Sequence, residues 1–312
     1  MTVADGSQTR LADISEVTIG TTPATPAFQV MRYVSADIRL AKQTDIPNEI
    51  RADRNVASIV DVGRTVQGTI NTLLSYGTYD AWLERLFASS WATNVLKNGV
   101  SHAAGTLELT FEQGTTDSYL RYTAVRNNTL DLQLTARQSV SANWGIMGIG
   151  SPTPTTAIIA GATYVAASTT EVFNAGLNVG SLVMSSTSLV SPPKMQSLSL
   201  RIVNNIYAND VVGAYEVYSH GLGRFEVTGT ARIYFESLAV YTAIMAHEDI
   251  AISFTLTDAV GNSYAFSIPK AKFLDGGPPV PGNGQAVIIE CPFQGFFDSS
   301  SGATISITRT AA

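Results

Sequence analysis

The chain has 312 residues, 45% of them hydrophobic and only 14% charged, with a formal net charge of -6. That length suits one large β domain or two smaller ones, and so low a charge suits a surface buried against other chains. The acidic balance argues against a protein that grips nucleic acid through Lys and Arg, and the single Cys291 excludes an intramolecular disulfide framework and a multi-cysteine zinc site. Cys291 reads as a small core residue.

The N-terminus, MTVADGSQTR, lacks the basic-then-apolar order of a signal peptide, and no apolar run reaches the roughly 18 to 20 residues that span a bilayer. Sec export and membrane insertion are not expected. Residues 1–27, rich in Thr, Ala and Pro, read as an extended arm without its own core, ordered by a neighbouring subunit. Residues 66–74 alternate as a strand, with Gln67, Thr69 and Asn71 on its polar face. A helix over 79–88 follows, capped by Thr78, with Trp82, Leu83, Leu86 and Phe87 as its apolar stripe. Further strands are predicted at 106–112, 119–125 and 130–136. Residues 151–191, where Glu171 is the sole charge, read as a Ser/Thr/Ala-rich connection holding weak strands at 163–167 and 181–184.

The order of elements then recurs at an offset of about 161 residues. Val66-Gln67-Gly68-Thr69 becomes Val227-Thr228-Gly229-Thr230, with Gly63-Arg64 and Gly223-Arg224 just upstream. A second helix over 238–246, capped by Ser237, presents Leu238, Tyr241, Ile244 and Met245 on one side. Strands at 250–256, 264–268 and 285–291 follow. The resulting division is an arm (1–27), a first β unit (28–150), the connection (151–191) and a second β unit (192–312). Each unit is an antiparallel sheet or sandwich with one packed helix. Thr228, Thr230 and Arg232 occupy the polar positions that Gln67, Thr69 and Asn71 occupy in the first unit. Alternation leaves two architectures open: a monomeric sandwich with one solvated sheet, or sheets whose edges close into a barrel between subunits.

Residues 49–91, EIRADRNVASIVDVGRTVQGTINTLLSYGTYDAWLERLFASSW, weigh towards the second. They resemble the core of a family of phage tail tube proteins, the major tail proteins of long-tailed, siphovirus-like phages and prophages. The matching positions are Glu49, Ile50, Arg51, Asp53, Arg54, Gly68, Tyr79, Asp80 and Trp91. Val203-Asn204-Asn205, the 223–229 strand, FTLTDAVGNSYAFSIPKAKF (254–273) and TISITR (304–309) follow in the family's order. The resemblance covers most of residues 28–310 and implies a mainly β, ring-forming subunit whose sheets line a tube, a structural component of the virion tail assembled in the bacterial cytoplasm.

On that reading Gln67, Thr69, Asn71, Thr228, Thr230 and Arg232 face the channel. Glu49, Arg51, Asp53, Arg54 and Trp91 lie at subunit contacts. The expected partners are further copies of the chain, a tape measure protein, a tail terminator, baseplate or tail-tip proteins and, in transit, double-stranded DNA, which a polar or negative wall does not hold. Two units per chain favour three copies in a pseudo-six-fold ring over a true hexamer. A non-polymerising virion protein that binds a host receptor or glycan is the alternative.

No enzyme signature competes, and no cofactor is expected. His102, His220 and His247 match no zinc spacing, and His247-Glu248-Asp249 reads as a solvated helix end. The glycines of 145–150 read as loop residues, because no βαβ context surrounds them. Glu108 and Glu112, about 13 Å apart along a strand, are too distant for a hydrolase pair and read as solvated or channel-facing.

Overall fold

Apolar–polar alternation becomes β-strand along most of the chain, and the computed structural model, which describes residues 3–312, contains eighteen strands and two short helices. β1 (Thr9–Ser15), β2 (Ala27–Val30), β3 (Ser35–Asp45) and β4 (Val60–Leu73) lead to helix α1 (Asp80–Phe87). β5 (Val95–Lys97), β6 (Gly105–Phe111), β7 (Ser118–Thr135), β8 (Ser141–Thr155), β9 (Thr163–Val165) and β10 (Val179–Ser185) follow. Next come β11 (Met195–Val203), β12 (Tyr207–Asn209), β13 (Ser219–Gly221), β14 (Glu226–Tyr234) and helix α2 (Ala239–Met245). β15 (Ile250–Thr257), β16 (Ser263–Phe273), β17 (Ile288–Gly295) and β18 (Ser306–Thr310) complete the chain.

Sixteen strands share one hydrogen-bonded sheet, and β12 and β13 form a separate hairpin. The pairing order β3-β4-β8-β7-β6-β1 is antiparallel throughout. The order β11-β14-β17-β16-β15-β10 is antiparallel too. A helix follows the second strand of each run, α1 after β4 and α2 after β14. The runs join where residues 129–135 of β7 pair with β11. Within the chain the sheet stays open, with β3 paired only to β4.

The Val-x-Gly motif has a steric origin. A Cβ on Gly68 would lie 2.4 Å from the carbonyl oxygen of Asp37, and one on Gly229 2.3 Å from that of Ser199. Only glycine allows the neighbouring strand so close.

Helix α1 buries Trp82, Leu83, Leu86 and Phe87 as its periodicity predicts, and Tyr79, Trp82 and Trp144 pack ring against ring beneath it. Its cap differs from the expectation: Tyr79 precedes the helix without a side-chain cap, and the Thr78 hydroxyl bonds Ser75 instead. Helix α2 corrects a stripe. Val240 and Ala243 are its buried residues; of the expected stripe only Ile244 packs against the core, while Leu238, Tyr241 and Met245 are exposed. At seven residues, α2 is too short for periodicity to choose between its two apolar sides.

Two loop-like readings become sheet. Residues 1 and 2 of the expected arm lie outside the described residues, but residues 9–15 form β1, paired to β6 along their full length with Leu11 and Ala12 buried. The glycines at 145 and 148 lie within β8, not in a loop; a Cβ on Gly145 would sit 2.3 Å from the Thr129 hydroxyl. The weak strands expected at 163–167 and 181–184 are present as β9, parallel to β2, and β10, antiparallel to β15. The strands expected at 119–125 and 130–136 are one bent strand, β7, with register shifts between Arg121 and Thr129 and a positive φ of 50° at Ala124.

Candidate channel wall and subunit contacts

One face of the sheet is polar across both runs. Directly opposed residues Ser35, Asn71, Asn143, Asp131, Arg201, Thr228 and Gln294 form a row across seven strands, β3-β4-β8-β7-β11-β14-β17. Beside it runs a row of Thr135, Ser197, Arg232 and Glu290. Pleating puts opposed residues on the same side of a sheet, so the two predicted sets, one from each half of the sequence, share one continuous surface. Gln67, Thr69, Asn71 and Arg232 are exposed there, and Thr228 and Thr230 are half-buried.

The charges on this surface are paired locally. Arg39 donates to Asp37 at 3.0 Å, Arg201 to Asp131 at 3.0 Å, and Arg232 lies 3.1 Å from Glu290. Sequence reading missed all of these except Arg232, although the alternation of 35–45 matches that of 66–74. Surface pairs of this kind contribute little stability. Their electrostatic effect is larger: each guanidinium already faces a carboxylate, leaving less positive field at this surface.

Glu108 is a correction. It is fully buried: Arg121 donates to it at 2.7 Å, the Tyr164 hydroxyl at 2.6 Å, and Arg10 lies 3.9 Å away. Alternation along β6 assigned it to a wet face, but residues of β1 and β9, remote in sequence, close over it.

The proposed contact residues divide. Glu49, Arg51, Asp53 and Arg54 lie in the exposed β3–β4 loop, where Arg51 and Asp53 pair at 2.8 Å and Arg54 has a left-handed φ of 60°. The bond from Arg51 holds the Asp53 carboxyl well below the usual range. Ile50 in this loop is fully solvent-exposed, as are most of Val56 and Ile59. Trp91, by contrast, is held within the chain: its ring stacks on Tyr264 and the Arg309 guanidinium lies over it at 4.6 Å. Arg309 also pairs with Asp80, whose other oxygen takes the Tyr264 hydroxyl, so the Tyr-Asp and TISITR segments meet in space.

Among the described residues, no group of three or more His, Cys, Asp or Glu side chains is placed to hold a metal ion. The chain belongs to the phage tail tube protein family, whose model matches residues 6–295. It is a structural component of the phage tail. No curated protein matches the chain in sequence.

Proposed function

We propose that copies of this chain close into rings that stack as the tail tube, with the seven-strand polar face lining a channel for DNA. The observation that carries the reading is the seam inside the chain. The two strand runs are joined by β7 pairing with β11, while β3, which holds in the first run the place β11 holds in the second, has an open edge. At the other end Leu274, which continues β16, donates to Pro292 of β17 at 2.8 Å, taking the place that Thr129 takes beside β8. The same seam repeated between copies pairs β3 of one with the segment after β16 of the next, and open edges favour such closure.

Strand counting supports three copies. With eight strand positions each, about 24 strands at about 4.8 Å spacing give a backbone diameter of about 37 Å upright and about 50 Å at a 45° tilt. Side chains reaching about 5 Å inward leave a bore of about 27 to 40 Å, enough for a duplex about 20 Å across. Six copies double the backbone diameter.

The division into two β units is part of this proposal, as is assembly in the host cytoplasm with tape measure, terminator and tail-tip partners. The β3–β4 loop with Glu49, Arg51, Asp53 and Arg54 supplies contacts between rings. So do the exposed Val211, Val212 and Tyr215 of the loop between β12 and β13, and Leu238, Tyr241 and Met245 of α2. Trp91 acts indirectly, by fixing α1 against β16 and β18.

Negative-stain electron microscopy of the purified protein at rising concentration tests the proposal. Stacked rings or hollow tubes with three copies per ring are expected. Discrete particles at every concentration refute it and favour a surface protein that binds host receptor or glycan.

A further inference from the structure

At the end of the polar face, where Arg126 opposes Met147 and Met147 opposes Gln67, a cavity of about 550 Å³ opens between the bend of β7 and the β12–β13 hairpin. Ala124 and Arg126 of β7, His102, Ser219, His220 and the turn at Ile19–Gly20 line much of it. The register shifts around residues 123–126 bend β7 at this point, and Arg126 there is 4% exposed.

The cavity is furnished with donors and lacks an acid. Arg126 Nη1 lies 2.7 Å from His102 Nδ1. A guanidinium only donates, so His102 Nδ1 accepts and its proton resides on Nε2. Arg126 Nε has no partner, nor has either ring nitrogen of His220, itself 4% exposed. Among the described residues, no carboxylate lines the cavity. The acid whose charge reaches Arg126, Glu16, spends its oxygens on the Thr106 hydroxyl and the amides of Ala124 and Gly20. A buried guanidinium without an anion is costly, and buried donors without acceptors add to that cost.

We propose that this cavity is a binding site for a compact oxyanion, phosphate or carboxylate, held by the Arg126 guanidinium with imidazole N–H groups of His102 and His220 as further donors. His102 is exposed and leaves the site open to solvent. The ligand is either a free ion or an acidic side chain of a second copy, and its chemistry is the same in both cases. Burial and the charge of Arg126 pull His220 down to about 4, and a bound anion reverses part of that effect.

The inference does not depend on tube formation, and its test begins on unassembled protein. Inorganic phosphate is titrated calorimetrically into the protein in a chloride buffer at neutral pH, and the His220 ring protons are followed by NMR against pH with and without phosphate. Saturable single-site binding is expected, weakened at least about tenfold by Arg126→Gln, with the His220 midpoint moving upward when phosphate is present. Absence of saturable binding together with an unmoved midpoint overturns the proposal. So does unchanged affinity in a folded Arg126→Gln variant. Should that variant not fold, the His220 titration of the natural chain decides alone. Repeating the titration on tubes then separates the sources: phosphate binding lost on assembly identifies a neighbour's carboxylate, and binding retained identifies a free ion.

Discussion

Removal of the Asp13 carboxylate tests whether the first strand belongs to its own chain. Asp13 of β1 accepts two bonds from Arg85 of α1, at 2.6 and 2.9 Å, and Arg85 also donates to Ser15 at 3.1 Å. Both charged side chains are almost fully buried, and Gly105 lies so close that a Cβ there would stand 2.2 Å from the guanidinium. Asp13→Ala leaves a buried guanidinium with one hydroxyl, a loss of about 3 to 5 kcal/mol. An unfolding entropy of about 2.1 cal/mol/K per residue over 312 residues is roughly 0.65 kcal/mol/K, so Tm falls by about 5 to 8 °C. Differential scanning calorimetry of the unassembled protein measures this. The double variant Asp13→Ala/Arg85→Met, in which no charge remains buried, recovers most of the loss. An Asp13→Ala penalty below about 1 kcal/mol, or a double variant no more stable than the single one, refutes the assignment. It would mean that β1 is not anchored here in solution and is free to pair with a neighbour.

Other consequences are measurable. Thr69→Lys and Thr230→Lys place an unpaired cation on the polar face and are expected to slow or stall DNA ejection with tubes still forming; unchanged infectivity counts against the channel assignment. Ile50→Asp, in the exposed loop, abolishes ring stacking while thermal stability of the unassembled chain stays within about 0.5 kcal/mol; stacking that survives removes the loop from the contact. His220, at about 4 in the fold against about 6.5 in a free chain, is protonated first in the unfolded state. Stability in phosphate-free buffer therefore rises with pH across that window and falls as pH drops from about 6.5 to about 4, an effect that chemical denaturation at a series of pH values detects and that His220→Gln reduces. Burial pushes the Cys291 thiol up to about 12, so it resists alkylation at pH 8 until the protein unfolds; rapid native labelling contradicts the packing.

The legible parts of the sequence were those governed by short-range periodicity. α1 shows its buried stripe because eight residues carry four large apolar side chains at helical spacing, and the polar positions of β4 and β14 show in simple alternation. The motif Val-x-Gly was visible, but its reason, a neighbouring carbonyl within 2.4 Å, was not. In α2, two apolar sides competed on a helix of seven residues, and the hydrophobic core took up Val240 and Ala243. Glu108 looked wet because alternation describes one strand at a time, whereas its partners Arg10, Arg121 and Tyr164 come from three separate segments.

By itself, the sequence determined a mainly β chain with two short helices, its family resemblance, and a set of polar strand positions, since each depends on residues a few positions apart. Only the tertiary structure decided that the two sets share one seven-strand face, that Trp91 turns inward beneath Arg309, and that Arg126 and His220 meet in a cavity without an acid. Those depend on strand register and on bulges, which are set by pairing between segments that can lie more than two hundred residues apart and leave no local periodicity to read.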